Sequence, residues 1–210
     1  MSSGMLVLTV VAVLIFFGVA QRVLDRMRLT DRQALVLVAL MFAGTLIPNI
    51  PLGMVEVNIG GALIPLGICV WLLVKAETSK ERVRALIGSV LTAAAVYAMG
   101  VLLPDEPEEM FMEPNLLYGL AGGLIAYLLG RSRRGAFICG ILGMLLADTA
   151  TAVVNWSQGI EQKLVLGGAG LADSVVISGF LAVLLAELIG EICERIARGR
   201  EKRGAKEDKQ

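Results

Sequence analysis

The sequence contains no histidine and only three cysteines. The absence of histidine excludes histidine-based catalysis and histidine metal ligands. Cys69, Cys139 and Cys193 each lie alone in an apolar stretch, without the short spacing that metal ligands require. No phosphate-binding glycine loop and no nucleic-acid-binding motif occurs in the sequence. We therefore predict no metal, no cofactor and no nucleic-acid partner.

Long apolar blocks dominate the chain. Of its 210 residues 56% are hydrophobic, and the mean hydropathy is +0.75. The blocks are roughly 14 to 22 residues long, and most can cross a bilayer core of about 30 Å. We predict an all-α polytopic membrane domain, residues 1–195, and a charged, disordered cytoplasmic tail, residues 196–210. The seven predicted segments are Met5–Ala20, Ala34–Ile50, Ile59–Val74, Ala85–Leu103, Leu116–Leu129, Gly135–Val154 and Leu171–Ile192.

The basic residues indicate how the chain is threaded. Eighteen of the nineteen Lys and Arg residues follow segments one, three, five and seven, and only Lys163 lies on the other side. Because basic loops remain in the cytoplasm, we expect the N-terminus outside and the C-terminus inside. The loop Pro104–Asn115 holds five acids and no base, which fits an outer loop.

The two remaining outer loops combine apolar residues with helix breakers. Pro48, Pro51 and Pro65 surround the first loop, and the second is rich in glycine. Irregular backbone at membrane depth persists only where it is buried in protein or lines a wet cavity. We expect both loops to meet around one polar cavity, although two ordinary interfacial turns are the alternative. The predicted cavity residues are Thr151, Asn155, Gly167, Gly168, Gly170, Asn49 and Asn58.

Three acidic residues, Asp148, Asp173 and Glu187, lie inside the apolar blocks. A charge at the bilayer centre costs about 3 kcal/mol on insertion scales, so each is a candidate functional residue. Glu187 starts a polar stripe that runs toward the cytoplasm, and we expect it to pair with Arg195 or Arg198. The two aspartates have no such simple explanation.

The spacing of Asp148 and Asp173 predicts that they lie close together. The midpoint between them falls at residues 160 and 161, in a polar turn. Two antiparallel helices leaving that turn would bring both acids to the same depth. Facing carboxylates in a low-dielectric site share one proton and can act as base and acid on a bound water. Alternatively, Asp173 lies in the first turn of segment seven and caps free backbone N–H groups.

The stretch from Gly170 to Asp173, with Asp148 in the preceding helix, resembles the paired-aspartate core of intramembrane aspartyl proteases. In this presenilin and signal peptide peptidase group, the second aspartate ends a Gly-x-Gly-Asp motif. Here Ala172 replaces the second glycine, and Ala147 stands where the family has tyrosine. The family's later Pro-Ala-Leu motif does not occur. The resemblance implies that Asp148 and Asp173 are catalytic.

A second resemblance covers more of the chain. The chain is similar to an uncharacterised family of prokaryotic multi-pass membrane proteins in RVLDRMRLTDRQAL, IPNIPL, VNIGGALIPLG, LLADT and GGAGLADSVVISGFLAVLLAE. This resemblance implies a protein of the prokaryotic cytoplasmic membrane. It adds no chemistry, because the family has no established activity.

Three functions are consistent with these patterns. The first is an intramembrane aspartyl hydrolase, in which Asp148 and Asp173 activate water against a peptide bond of a transmembrane peptide. The second is a small transporter or channel, in which the same acids bind a proton or cation. The third is a non-catalytic scaffold in the lipid bilayer. Gly119 and Gly123, spaced as G-x-x-x-G, are expected to pack helices together or, alternatively, to form a homo-oligomer contact.

Overall fold

The computed structural model describes residues 31–102, 114–130, 132–170 and 173–207. Segment one, most of the loop Pro104–Asn115, and Leu171 and Ala172 lie outside these residues. The six described α-helices are α1 (Asp31–Thr45), α2 (Ile64–Val74), α3 (Ser79–Leu102), α4 (Pro114–Gly130), α5 (Arg133–Ser157) and α6 (Ser174–Glu207). The other described elements are β1 (Ile50–Leu52), β2 (Val55–Val57), a π-helical turn (Ile59–Leu63) and β3 (Leu164–Leu166).

The protein is mostly helical, as the sequence predicts. Among the described residues, two helices, α3 and α5, are long and apolar enough to cross a membrane by length and composition. The shorter apolar helices are Val36–Thr45, Ile59–Val74, Leu116–Gly130 and Ser174–Gly190. Length and composition thus establish a helical protein with two candidate membrane spans.

Two helix ends differ from the prediction. Segment two was expected to reach Ile50, but α1 ends at Thr45 and Ile50 lies in β1. Pro48 and Pro51 explain the early end, because proline lacks the N–H that continues a helix. The charged tail, predicted to be disordered, is helical as far as Glu207. Its Glu, Lys, Arg and Ala residues are strong helix formers, so a helix that is already nucleated continues through them.

Helix α5 forms the centre of the bundle and packs against α2, α3, α4 and α6. Small residues allow these helices to approach closely. A Cβ added at Gly140 would lie 2.8 Å from the Cα of Gly179 in α6. One added at Gly143 would lie 2.6 Å from Cγ2 of Thr92 in α3. Glycine therefore determines how tightly the central helix packs on both sides.

The glycines spaced as G-x-x-x-G in α4 pack against α6 of the same chain. A Cβ at Gly119 would lie 2.7 Å from Cγ2 of Ile177, and one at Gly123 would lie 2.9 Å from Cβ of Leu181. The predicted role in helix packing is therefore confirmed within one molecule.

A small three-stranded sheet joins the two irregular loops. Strands β1 and β2 form an antiparallel hairpin, and β3 pairs parallel to β2 with Val55 opposite Leu164. Gly53, with φ of 72°, occupies the first position of the two-residue hairpin turn, which favours glycine. The prediction that the two loops meet is confirmed, although the sequence did not predict that they meet as strands.

The contacts between helices define two ends of the bundle. Helices α3 and α5 run parallel, because Gly88 contacts Cys139 while Thr92 contacts Gly143. Helices α5 and α6 run antiparallel, because Gly140 contacts Gly179 while Arg133 contacts Glu187. We call the end that contains residues 75–84 and 132–134 the basic end. The opposite end, which contains residues 50–57 and 158–166, is the sheet end.

Candidate functional site

Asp148 and Asp173 lie at nearly the same level near the sheet end. The two contacts between α5 and α6, Gly140 with Gly179 and Arg133 with Glu187, set the antiparallel register of these helices. Continued toward the sheet end, that register brings Asp148 opposite the start of α6, within about two residues of Asp173. The register therefore agrees with the predicted common depth of the two acids, and their pairing stays a prediction.

Asp173 caps α6. It immediately precedes the first residue of that helix, and its Oδ1 accepts a hydrogen bond from the backbone N–H of Val175 at 3.0 Å. Its Oδ2 accepts from the N–H of Ala169 at 3.1 Å. The residue is only 8% exposed. Both oxygens are thus used to satisfy backbone donors, as the helix-capping alternative predicted.

Asp148 has a different environment. It is half-buried in α5, and no described residue forms a hydrogen bond or ion pair with its carboxylate. Lys163, the cationic residue of the same cleft lining, pairs with Glu56 of β2. Burial without a partner costs free energy, so this half-buried carboxylate is a candidate ligand-binding group.

A polar cleft of about 820 Å³ opens beside Asp148. It lies between the sheet-end parts of α3, α4 and α5 and the loop that follows α5. Besides Asp148, its polar lining consists of Tyr97, Tyr118, Thr151, Asn155, Gln158, Gln162, Lys163 and Ser174. Thr151 donates its own hydroxyl proton to the carbonyl oxygen of Ala147 at 3.0 Å, so toward the cleft it offers an acceptor oxygen.

The wall of the cleft formed by the loop is held against the end of α5. The Asn155 side-chain amide donates to Oε1 of Gln162 at 2.8 Å, and Trp156 Nε1 donates to the carbonyl oxygen of Gln162 at 2.7 Å. Lys163 forms an ion pair with Glu56 of β2 at 2.7 Å. These contacts fold the polar turn back over α5, which makes it a wall of the cleft.

The other predicted cavity residues serve the fold outside this cleft. Asn58, 3% exposed, accepts the N–H of Gly61 at 2.8 Å and donates to Oδ1 of Asn49 at 3.0 Å. Gly167 and Gly170 have φ of 68° and 61°, a backbone region that favours glycine. None of these residues lines the cleft, and neither does Gly168. The prediction that both loops surround one cavity was therefore wrong for the first loop, because its polar side chains hydrogen-bond to the loop's own backbone and to each other.

The sequence did not identify two tyrosines as residues of the cleft. Tyr97 is the one aromatic residue of its apolar segment in α3, and Tyr118 shares its segment in α4 only with Tyr127. Such a pattern is indistinguishable from core packing. The sequence placed Gln162 in the polar turn, but its position in the sequence did not predict that the turn folds back onto α5.

Glu187 has a partner that the sequence did not predict. It is 5% exposed and forms an ion pair with Arg133 at the start of α5. The side chains of Arg195 and Arg198, its predicted partners, lie outside the part of the chain that the structure describes. The antiparallel packing of α5 and α6 brings Arg133 to the level of Glu187, which helical spacing within one segment cannot reveal. This acid therefore holds two helices together at the basic end.

The chemistry available in the cleft is that of one carboxylate with hydroxyl and amide neighbours, together with the Lys163 ammonium group, which pairs with Glu56 of β2. Among the described residues, no group of three or more His, Cys, Asp or Glu side chains is arranged to hold a metal ion. A lone carboxylate with neutral oxygen ligands suits a proton or a singly charged cation. The backbone bonds to Asp173 hold the second carboxylate in place as a cap.

Comparison with known proteins gives one match. A family model described as a protein of unknown function (DUF1614) matches residues 6–185. No curated protein and no solved structure matches the chain. These findings give no support to the resemblance to intramembrane aspartyl proteases. Since the family model matches most of the chain, the protein belongs to the DUF1614 family of proteins of unknown function.

Proposed function

We propose that the protein is a multi-pass membrane protein that binds a proton or a small cation at Asp148, as part of a transporter or channel. The observation that carries the proposal is the Asp148 carboxylate, which has no partner among the described residues and lies in the wall of a polar cleft. A bound cation would neutralise this charge and offset the cost of its burial.

The described surface supports a membrane location. Val83, Ile87 and Val90 on α3 are 54%, 55% and 60% exposed, and they follow one another at helical spacing. A stripe of this kind is unfavourable in water but favourable against lipid chains. Many other large apolar side chains of the described helices are equally exposed. This surface favours crossings by more helices than the two that satisfy the length criterion.

The distribution of charge supports one orientation. Basic side chains between α2 and α3 and at the start of α5 lie at the basic end, whereas Lys163 lies at the sheet end. Under the positive-inside rule, the basic end faces the cytoplasm and the cleft opens toward the outer side. With segment one as a further crossing, the N-terminus is outside and seven segments span a prokaryotic cytoplasmic membrane.

Carbodiimide labelling tests the site whatever the identity of the cation. Dicyclohexylcarbodiimide adds to protonated carboxyl groups in apolar surroundings, and mass spectrometry of the digested protein locates the adduct. We expect labelling of Asp148 that a bound cation competes away, and no labelling of that peptide in Asp148→Asn. Wild-type protein without an adduct at Asp148 would contradict the proposal.

Ion flux into proteoliposomes tests the activity. A pH-sensitive dye inside the liposomes reports proton movement that is driven by a potassium gradient and valinomycin. For sodium or potassium flux, a gradient of that cation is imposed instead. We expect Asp148→Asn to abolish the flux. Asp173→Asn should retain most of it, because the asparagine oxygen can still accept the N–H of Val175 and cap α6, and only the bond from Ala169 is lost. Flux that is unaffected by Asp148→Asn would reject the proposal.

The paired-aspartate hydrolase is the second candidate, favoured by the common level of Asp148 and Asp173. It requires both carboxylates, so each Asn variant should abolish cleavage of a model transmembrane peptide. The cation site instead requires Asp148 alone. Asp173→Asn therefore separates the two functions, and Asp173→Ala, which also removes the cap, should lower stability by about 1 kcal/mol.

A further inference from the structure

An apolar groove of about 530 Å³ runs between α3 and α4 near the basic end. Val83, Ile87 and Leu91 of α3 line one side, and Leu129 of α4 lines the other. The three α3 residues are 54%, 55% and 49% exposed. Gly88 lies at the floor of the groove, where a Cβ would lie 2.5 Å from Sγ of Cys139 in α5 and 3.5 Å from Cβ of Leu129. The shape and lining suit a flexible hydrocarbon chain.

Two basic side chains, Lys80 and Arg84, stand at the end of this groove. Both are exposed, and no described acidic residue forms an ion pair with either of them. A neighbouring arginine on the same helix is already engaged: Arg82 donates to the carbonyl oxygens of Val74 and Ala76 at the end of α2. The groove therefore combines an apolar channel with two available positive charges at one end.

We propose that an anionic phospholipid occupies this groove. Its acyl chain lies against Val83, Ile87 and Leu91, and its phosphate group binds Lys80 and Arg84. Charge complementarity identifies the occupant, because a free anion would leave the apolar groove unused and an uncharged lipid would leave both cations unpaired. The inference rests on the membrane location proposed above, but it is independent of the cation site at Asp148.

Native mass spectrometry of the full-length protein in a neutral detergent measures the binding. We expect phosphatidylglycerol to bind at least about tenfold more tightly than phosphatidylcholine, because only the former carries a net negative charge. In the double variant Lys80→Gln/Arg84→Gln this preference should disappear. The matched control is Lys75→Gln, which removes an exposed charge from the same end without touching the groove. Equal binding in the double variant and the wild type would overturn the proposal.

Filling the groove provides a second test that leaves the charges in place. Ile87→Trp should weaken phosphatidylglycerol binding, whereas Val90→Trp, on an equally exposed position outside the groove, should not. Both variants place the same bulky side chain on the exposed face of α3. Equal effects of the two substitutions would contradict occupation of the groove.

A photoreactive phenylalanine analogue at position 87 identifies what lies in the groove within a native membrane. A lipid adduct on the full-length protein supports the proposal. A cross-link to a peptide from residues 1–30, or to a second copy of the chain, overturns it.

Release of the protein from membranes by alkaline carbonate would instead refute the membrane location itself. Unchanged carbodiimide labelling of Asp148 in the groove variants would show that the two sites are separate.

Discussion

The two ends of the bundle use charge in opposite ways. At the basic end, Arg133 and Glu187 form a buried ion pair that joins α5 to α6. At the sheet end, Lys163 and Glu56 pair on the surface, with 63% and 24% of their side chains exposed. Backbone hydrogen bonds and close glycine contacts hold the sheet end together instead. Charge therefore stabilises helix packing at one end and contributes little to packing at the other.

The same contrast distinguishes the buried acids. Glu187 has a cationic partner from a neighbouring helix, and Asp173 has two backbone amides. Asp148 has neither among the described residues, although it is half-buried at the sheet end. The fold gives Glu187 and Asp173 partners within the protein, whereas it gives Asp148 none among the described residues, and the proposed cation site is placed there for that reason. This difference makes Asp148 the centre of the candidate site.

The largest expected effect comes from breaking the buried pair. Arg133→Gln leaves the Glu187 carboxylate buried without a cation and should lower the free energy of unfolding by about 3–5 kcal/mol. The melting temperature in detergent measures the change. The double variant Arg133→Gln/Glu187→Gln should regain much of the loss, because no isolated charge remains. A double variant that is less stable than Arg133→Gln would contradict this role of the pair.

A smaller effect is expected from a glycine of the sheet end. In Gly167→Ala, the new Cβ would lie 2.5 Å from the backbone nitrogen of Ala62, at a φ of 68°. Strain and overpacking together should cost about 3 kcal/mol. Gly159→Ala is the matched control, because its φ of 78° is similar but no atom lies within 4 Å of the new Cβ. The control should cost only about 1 kcal/mol. Equal melting temperatures for the two variants would show that the close approach to the first loop does not matter.

The smallest effect is expected from the exposed pair at the sheet end. The hydrogen bond and charge of Lys163 lower the pKa of Glu56 below its ordinary value of 4.5. The ion pair between Glu56 and Lys163 therefore stabilises the fold above pH 4.5, and this stabilisation is lost as the pH falls through the lowered pKa of Glu56. Glu56→Gln should reduce the melting temperature slightly at about pH 7 and not at all at about pH 3. A difference that persists unchanged in acid would exclude the ion pair as its cause.

Local sequence patterns were sufficient for the helices but not for the cleft. The apolar blocks predicted all six described helices, and the turn midpoint predicted that Asp148 and Asp173 lie at the same level. These features depend on the local sequence and on a symmetric helical hairpin. Tyr97 and Tyr118 were not identified, because their place in the cleft depends on how α3 and α4 pack around α5. The pairing of β3 with β2 was not predicted either, because three-residue strands carry no readable period.

By itself, the sequence determined the helical character of the chain, the separation of basic from acidic loops and the approach of two acids along neighbouring helices. These properties follow from hydrophobicity, helix-breaking residues and charge, which act over short stretches. Only the tertiary structure decided which acid is satisfied. Asp173 meets two backbone amides because α6 starts directly after it, and Glu187 meets Arg133 because α5 runs antiparallel beside it. Asp148 faces a cleft because three helices and a folded-back loop leave space there, and only the packing of distant segments creates such a space.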